Sequence, residues 1–266
     1  MSRTRTTWNT KGMWAAGVTL AAVVGLTGYL ALSGSSDDSR ADAAAGGATP
    51  AVSGPVSTAP TYQVPDDWTE PQRWAALPRG QRTDKYGSQV GFPHTTTGAV
   101  AMLVAAQSTA VDEQKSAVDE HLRVYHSYIS ADEQSDSTAE RVELGAMKTD
   151  KSLARDMGVK PGGPLPAGAY ARTNVVGFKL IKESSGEVSA WLLSRVAQKN
   201  GETAKETVTY TRSVVAGLWE NGDWKMSAKA SVAAQRQVQG QPKPAGAAPG
   251  DAAFNEAGWT AIREAS

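Results

Sequence analysis

Apolar residues recur at helical spacing through the middle of the chain. In residues 98–111, 117–129 and about 137–157, apolar side chains lie three or four positions apart, as they do in a helix with one apolar face. Thr95, Thr96 and Thr97 precede the first segment, and their hydroxyl groups favour the start of a helix. The pattern therefore predicts three helices in succession.

The pattern after the proline- and glycine-rich loop 160–168 is that of β-strands. In residues 170–182, 188–198, 203–218 and 224–227, apolar and polar positions alternate or both faces are apolar. Asn200-Gly201 and Asn221-Gly222 lie between these segments, and Asn-Gly favours a tight hairpin. We expect an α+β domain in which three helices pack on one face of a curved antiparallel sheet of about four strands.

An uncharged run, residues 13–32, precedes these elements. As a helix, its 20 residues would span about 30 Å, the thickness of the hydrocarbon core of a bilayer. Basic residues precede the run and acidic residues predominate after it, so the positive-inside rule places residues 1–12 in the cytoplasm. The alternative is a cleavable signal peptide, whose apolar region is usually shorter. We expect an N-terminal transmembrane helix in a single-pass protein of the bacterial cell membrane.

The rest of the chain divides by composition. Residues 33–64 are almost all small or polar, which predicts a flexible tether. An extracytoplasmic domain is expected at 65–235, followed at 236–266 by a linker and a short helix that docks on the domain or on a partner. Trp68 and Trp74 are interpreted as caps of the domain core, in preference to an aromatic strip for a partner.

Charge and cysteine content exclude several classes of function. The 27 basic and 27 acidic residues balance, so direct binding of nucleic acid is not expected. The chain has no cysteine, which excludes disulfides, thiolate nucleophiles and cysteine metal sites.

Histidines and acids give no clear catalytic or metal pattern. His121 and His126 are five positions apart on a predicted helix and point in different directions, and His94 is interpreted as a loop residue. Three acidic pairs are interpreted as solvated surface: Asp112-Glu113, Asp119-Glu120 and Asp132-Glu133. Gly162-Gly163 lacks the lysine of a phosphate-binding loop. We expect no catalytic, cofactor or metal site.

A few residues remain as candidate polar groups within the concave face of the sheet. They are Tyr125, Tyr128, Tyr170, Arg172 and Tyr210. Their simpler interpretation is that most are core aromatics whose hydroxyl groups reach the rim.

Two motifs carry a resemblance to a known family. The closing hairpin contains Trp219, Gly222, Asp223, Trp224 and Lys225 in the order Trp-x-x-Gly-Asp-Trp-Lys. With the helices and strands before it, residues 92–227 resemble the nuclear transport factor 2-like superfamily of cone-shaped α+β domains. The N-terminal run, the tether and residues 91–101 (GFPHTTTGAVA) are similar to membrane-anchored proteins of bacterial conjugative elements.

The resemblance implies a role in assembly. Relatives of this kind act as scaffold subunits of a type IV secretion-like channel for DNA transfer. We therefore expect a non-catalytic membrane-tethered scaffold that contacts lipid through residues 13–32, associates with itself and binds other envelope proteins. The alternatives are an extracytoplasmic ligand-binding or enzymatic domain, and an accessory factor of the cell wall or of sporulation.

Overall fold

The computed structural model describes residues 67–263. Within that range the α-helices are α1 Thr96–Gln107, α2 Ala117–Tyr128, α3 Asp136–Asp156, α4 Ala228–Gln237 and α5 Ala252–Glu256, and a 3-10 turn spans Ala131–Glu133. The strands are β1 Trp74–Ala76, β2 Arg82–Thr83, β3 Gln89–Val90, β4 Thr109–Val111, β5 Ala169–Glu183, β6 Glu187–Asn200, β7 Thr207–Glu220, β8 Asp223–Met226 and β9 Thr260–Arg263.

The main sheet corrects the predicted fold. It has seven strands in the order β1-β9-β5-β6-β7-β8, and β4 adds to the edge of β5. The sheet is mixed, because β1 and β9 run parallel while the other pairs are antiparallel. The prediction of about four antiparallel strands with three helices was therefore wrong, although the meander β5–β8 occurs where the alternation and the turns indicated.

The predicted transmembrane helix, residues 13–32, lies outside the described residues. Between residues 67 and 263, no helix is long and apolar enough to cross a membrane.

Side-chain caps begin the three helices on one face of the sheet. Thr95 accepts a hydrogen bond from the N–H of Gly98, and Ser116 and Asp119 form a reciprocal capping box at α2. Ser135 begins α3 in the same way as Thr95 begins α1. Helix α1 is almost wholly buried between the sheet and α2, so it is the centre of the largest apolar cluster.

The C-terminal segment covers part of the opposite face. Leu192 and Leu193 are neighbours on β6 and point to opposite sides of the sheet. Leu192 belongs to the cluster around α1, whereas Leu193 packs with Phe254 and Trp259 from the C-terminal segment. The sheet therefore has an inner face under helices α1–α3 and an outer face that the C-terminal residues cover in part.

The two tryptophans at the start of the domain lie against the C-terminal segment. Trp74 packs against it, and the indole N–H groups of Trp68 and Trp74 both donate to Glu70. The six-membered ring of Trp68 lies beside Gly250, where an added Cβ would come within 2.4 Å of it. The start of the domain and the segment before α5 are thus fastened together.

Candidate functional site

The three histidines contact different parts of the protein. His94 stacks on Trp219 with ring centroids 3.9 Å apart, and its Nε2 lies 2.6 Å from the carbonyl oxygen of Ser185. His126 stacks on Tyr86, and burial lowers the pKa of His121. Across residues 67–263, no group of three or more histidines and acids could hold a metal ion.

Several acids of the predicted surface pairs make hydrogen bonds or ion pairs within the domain. Glu133 accepts hydrogen bonds from the N–H groups of Ala228 and Lys229 at the start of α4, and Asp119 completes the α2 capping box. Glu120 departs from the surface interpretation, because it is 3% exposed and is paired with Arg123 and Lys115. Each of these acids either fixes a backbone turn or pairs with a cation.

Two of the five polar candidates belong to the core. Tyr125 donates to the carbonyl oxygen of Ser135, and Tyr128 donates to the carbonyl oxygen of Gln89. Both rings are buried beside α1. Their hydroxyl groups therefore hold loops in place.

The other three candidates come together on the outer face. Strand pairing places Tyr210 opposite Arg195 and places Arg172 opposite Ala197. Paired residues share a face, and residues two apart on one strand do so as well. Tyr170 and Arg172 therefore share the outer face with Arg195, Ala197 and Tyr210.

These residues continue into a larger surface, in which Arg172 and Val208 are exposed and the other members are half-buried. Val208 also pairs with Ala197, and Arg212 pairs with Leu193, where the cover by the C-terminal segment begins. We call this surface the tyrosine–arginine face, and it consists of Tyr170, Arg172, Arg195, Val208, Tyr210 and Arg212. Val208 is 41% exposed, which is high for an apolar residue inside a strand.

One carboxylate lies within the face. Glu206 accepts hydrogen bonds from the hydroxyl group of Tyr170 and from Arg195, the latter at 2.7 Å. The guanidinium of Arg172 lies 4.4 Å from the centre of the Tyr170 ring, a cation–π arrangement. These contacts hold Tyr170 and Arg195 in defined positions and leave Arg172 exposed.

The electrostatics keep both groups of the central pair in their usual states. The hydrogen bond to Glu206 raises the pKa of Tyr170, and burial raises it further. Hydrogen bonds from Tyr170 and Arg195 lower the pKa of Glu206. Tyr170 is therefore a neutral donor and Glu206 is an anion at neutral pH, so the pair is poorly suited to proton transfer.

The arrangement is suited to recognition of carboxylates. Arginine binds a carboxylate through parallel hydrogen bonds, and tyrosine adds apolar area with a polar tip. Three cations, Arg172, Arg195 and Arg212, belong to the face, and Glu206 is hydrogen-bonded to Arg195. Asp251 of the C-terminal segment also acts on Tyr210, since burial raises the pKa of Tyr210 and the charge of Asp251 raises it further.

Sequence reasoning missed Arg195, Glu206 and Arg212. The available clue was alternation along the strand, because Val208, Tyr210 and Arg212 occupy every second position of β7. Pairing between β6 and β7 was needed to add Arg195.

Comparison with known proteins identifies no relative. No family model, no curated protein and no solved structure matches the chain.

Proposed function

We propose that this protein is a non-catalytic assembly subunit, held at the bacterial membrane by residues 13–32, that binds an acidic surface of another envelope protein through its tyrosine–arginine face. The observation that carries the proposal is the group of two tyrosines and three arginines on the outer face, in which Arg172 is exposed and the other four residues are half-buried. Tyrosine and arginine are enriched among the residues that dominate binding energy in protein interfaces.

The interior supports a binding role over an enzymatic one. Large side chains fill the space between the inner face and the helices, among them Met102, Leu103, Tyr128 and Trp224, all at most 2% exposed. An enzyme or ligand-binding protein of cone-shaped fold needs that space for its substrate.

The proposed setting is a conjugative DNA-transfer apparatus. It rests on the resemblance of the N-terminal run, the tether and residues 91–101 to proteins of such systems. Tethering to a membrane raises the local concentration of domains that interact weakly, so an exposed face of modest area is sufficient for assembly.

The test replaces arginines of the face by acids in cells that carry the conjugative element. We expect Arg172→Glu with Arg195→Glu to lower the frequency of DNA transfer by about tenfold or more, since each reversed charge repels an acidic partner. The matched control is Arg141→Glu together with Arg155→Glu on the exposed surface of α3. Equal transfer by both double variants, at equal protein levels, would contradict the proposal.

A further inference from the structure

Strand β7 has a long edge without a neighbouring strand. It spans Thr207–Glu220 and pairs with β6 over almost its whole length, but β8 pairs with it only from Gly217 to Glu220. The edge of β5, by contrast, carries β4 at one end and β9 at the other. An unpaired edge in a long strand is a template for another strand.

The contacts of Ala216 show which backbone groups of β7 point outward from this edge. Its N–H donates to the hydroxyl group of Ser231, and its carbonyl oxygen accepts from the N–H of Ser227. Both of its backbone groups therefore point away from β6. Because backbone groups alternate along a strand, those of Arg212, Tyr210 and Val208 point outward too.

These outward groups have no protein partner in the described chain. Between residues 67 and 263, the N–H groups of Val208, Tyr210 and Arg212 donate no hydrogen bond. Helix α4 protects the edge near Ala216, but Val208 is 41% exposed. Gly246 lies beside the carbonyl oxygen of Tyr210, where an added Cβ would come within 3.4 Å of that oxygen, but it makes no backbone hydrogen bond to Tyr210.

We propose that a second copy of this chain pairs with the β7 edge in antiparallel fashion, with Tyr210 of each copy opposite Arg212 of the other. The two main sheets then form one continuous sheet across a twofold axis at Thr211. This is strand addition, in which backbone hydrogen bonds supply the contact. It goes beyond the proposed function, because it uses the backbone groups along the edge of β7, although the side chains of Val208, Tyr210 and Arg212 also belong to the tyrosine–arginine face.

The sequence of the edge is complementary to itself in this register. Outward groups must meet outward groups, so Tyr210 faces Val208, Tyr210, Arg212 or Val214 of the other copy, and the register fixes the remaining pairs. A register with Arg212 opposite Arg212 places like charges together, which is unfavourable. The proposed register instead sets each guanidinium beside a tyrosine ring and sets Val208 opposite Val214.

The register predicts one specific disulfide. Thr211 would face Thr211 across the axis in a non-hydrogen-bonded pair, where Cα atoms are about 4.5 Å apart. That separation lies within the range that a disulfide spans, about 4.4–6.8 Å. Since the chain has no cysteine, a single introduced cysteine reports on this contact alone.

The experiment oxidises full-length single-cysteine variants under mild conditions. We expect Thr211→Cys to form a disulfide-linked dimer, whereas Thr209→Cys remains monomeric because it would face Ser213. Mixing Thr209→Cys with Ser213→Cys should give the crossed dimer. Equal cross-linking of Thr211→Cys and Thr209→Cys, or none by either Thr211→Cys or the mixture, would overturn the proposal.

A second variant removes one hydrogen bond of the proposed dimer and leaves the hydrogen bonds between β6 and β7 intact. Proline is tolerated at an outward-facing edge position, so Val208→Pro in the Thr211→Cys background should fold and should lower the dimer yield about fivefold or more. Val208→Thr, which keeps the N–H, is the control. Unchanged yield in Val208→Pro would overturn the proposal.

The proposed binding of an acidic partner and the proposed dimer can be tested separately. Arg172→Glu with Arg195→Glu should leave the Thr211→Cys dimer intact, because neither residue lies on the edge. Loss of DNA transfer with an intact dimer would therefore concern the face alone.

Discussion

The indole N–H of Trp224 donates a 2.9 Å hydrogen bond to the carbonyl oxygen of Pro93. Next to it, Asp223 accepts hydrogen bonds from the N–H groups of Gly91 and Phe92. Residues 91–101 and residues 217–227 are thus in direct contact. These hydrogen bonds fasten the start of α1 to the closing hairpin.

Asp223→Ala should destabilise the protein by about 2–4 kcal/mol, because it leaves buried N–H groups without an acceptor and removes one of the two hydrogen-bond partners of Lys225. Denaturant unfolding measures the change. Asp132→Ala, an exposed acid in the 3-10 turn, should change stability by less than about 0.5 kcal/mol. Similar losses in the two variants would contradict this role for Asp223.

Two helical glycines should respond to alanine in opposite directions. A Cβ on Gly98 would lie 2.0 Å from the carbonyl oxygen of Pro93, whereas a Cβ on Gly145 would meet nothing within 4 Å. Gly98→Ala should therefore disrupt the start of α1. Gly145→Ala should stabilise α3 by about 0.5–1 kcal/mol. Thermal unfolding of both variants checks the contrast. A stabilised Gly98→Ala would refute the close contact between Gly98 and Pro93.

The sequence predicted the long elements well because they carry a clear period. Helices α2 and α3 and strands β5, β6 and β8 begin or end within a few residues of their predicted bounds. Strands β1, β2, β3, β4 and β9 have two to four residues, too few to show alternation. Residues 109–111 continued the helical spacing of α1, but they form β4 beside β5.

The candidate face was only partly predictable. A sequence does not say which face of a sheet the helices cover. It therefore does not separate Tyr170, Arg172 and Tyr210 of the outer face from Tyr125 and Tyr128 of the core. A bulge between Val175 and Gly177 also interrupts the alternation along β5.

The buried Glu120 should make stability depend on pH. Burial acts to raise its pKa, but hydrogen bonds and charge from Arg123 and Lys115 outweigh burial and hold the pKa below the usual 4.5. A lowered pKa in the folded state means that the contribution is present at neutral pH. It is lost as the pH falls below 4.5 and through the folded pKa.

Glu120→Gln should therefore be less stable than the natural protein at pH 7, and the difference should shrink at about pH 3.5. Urea unfolding at both pH values measures it. Glu140→Gln, on the exposed side of α3, is the control and should show little difference at either pH. A difference for Glu120→Gln that is equal at both pH values would contradict the assignment.

The central claim is that the tyrosine–arginine face binds an acidic surface of another envelope protein. The most direct measurement places a photo-activated cross-linking amino acid at Arg172 of the full-length protein in its own cells, with the same amino acid at Arg141 of α3 as the control. We predict that Arg172 gives one discrete adduct, that peptide mapping locates it in an acidic segment of an envelope protein, and that Arg195→Glu abolishes it. No adduct at Arg172, or the same adduct from Arg141, would contradict the account.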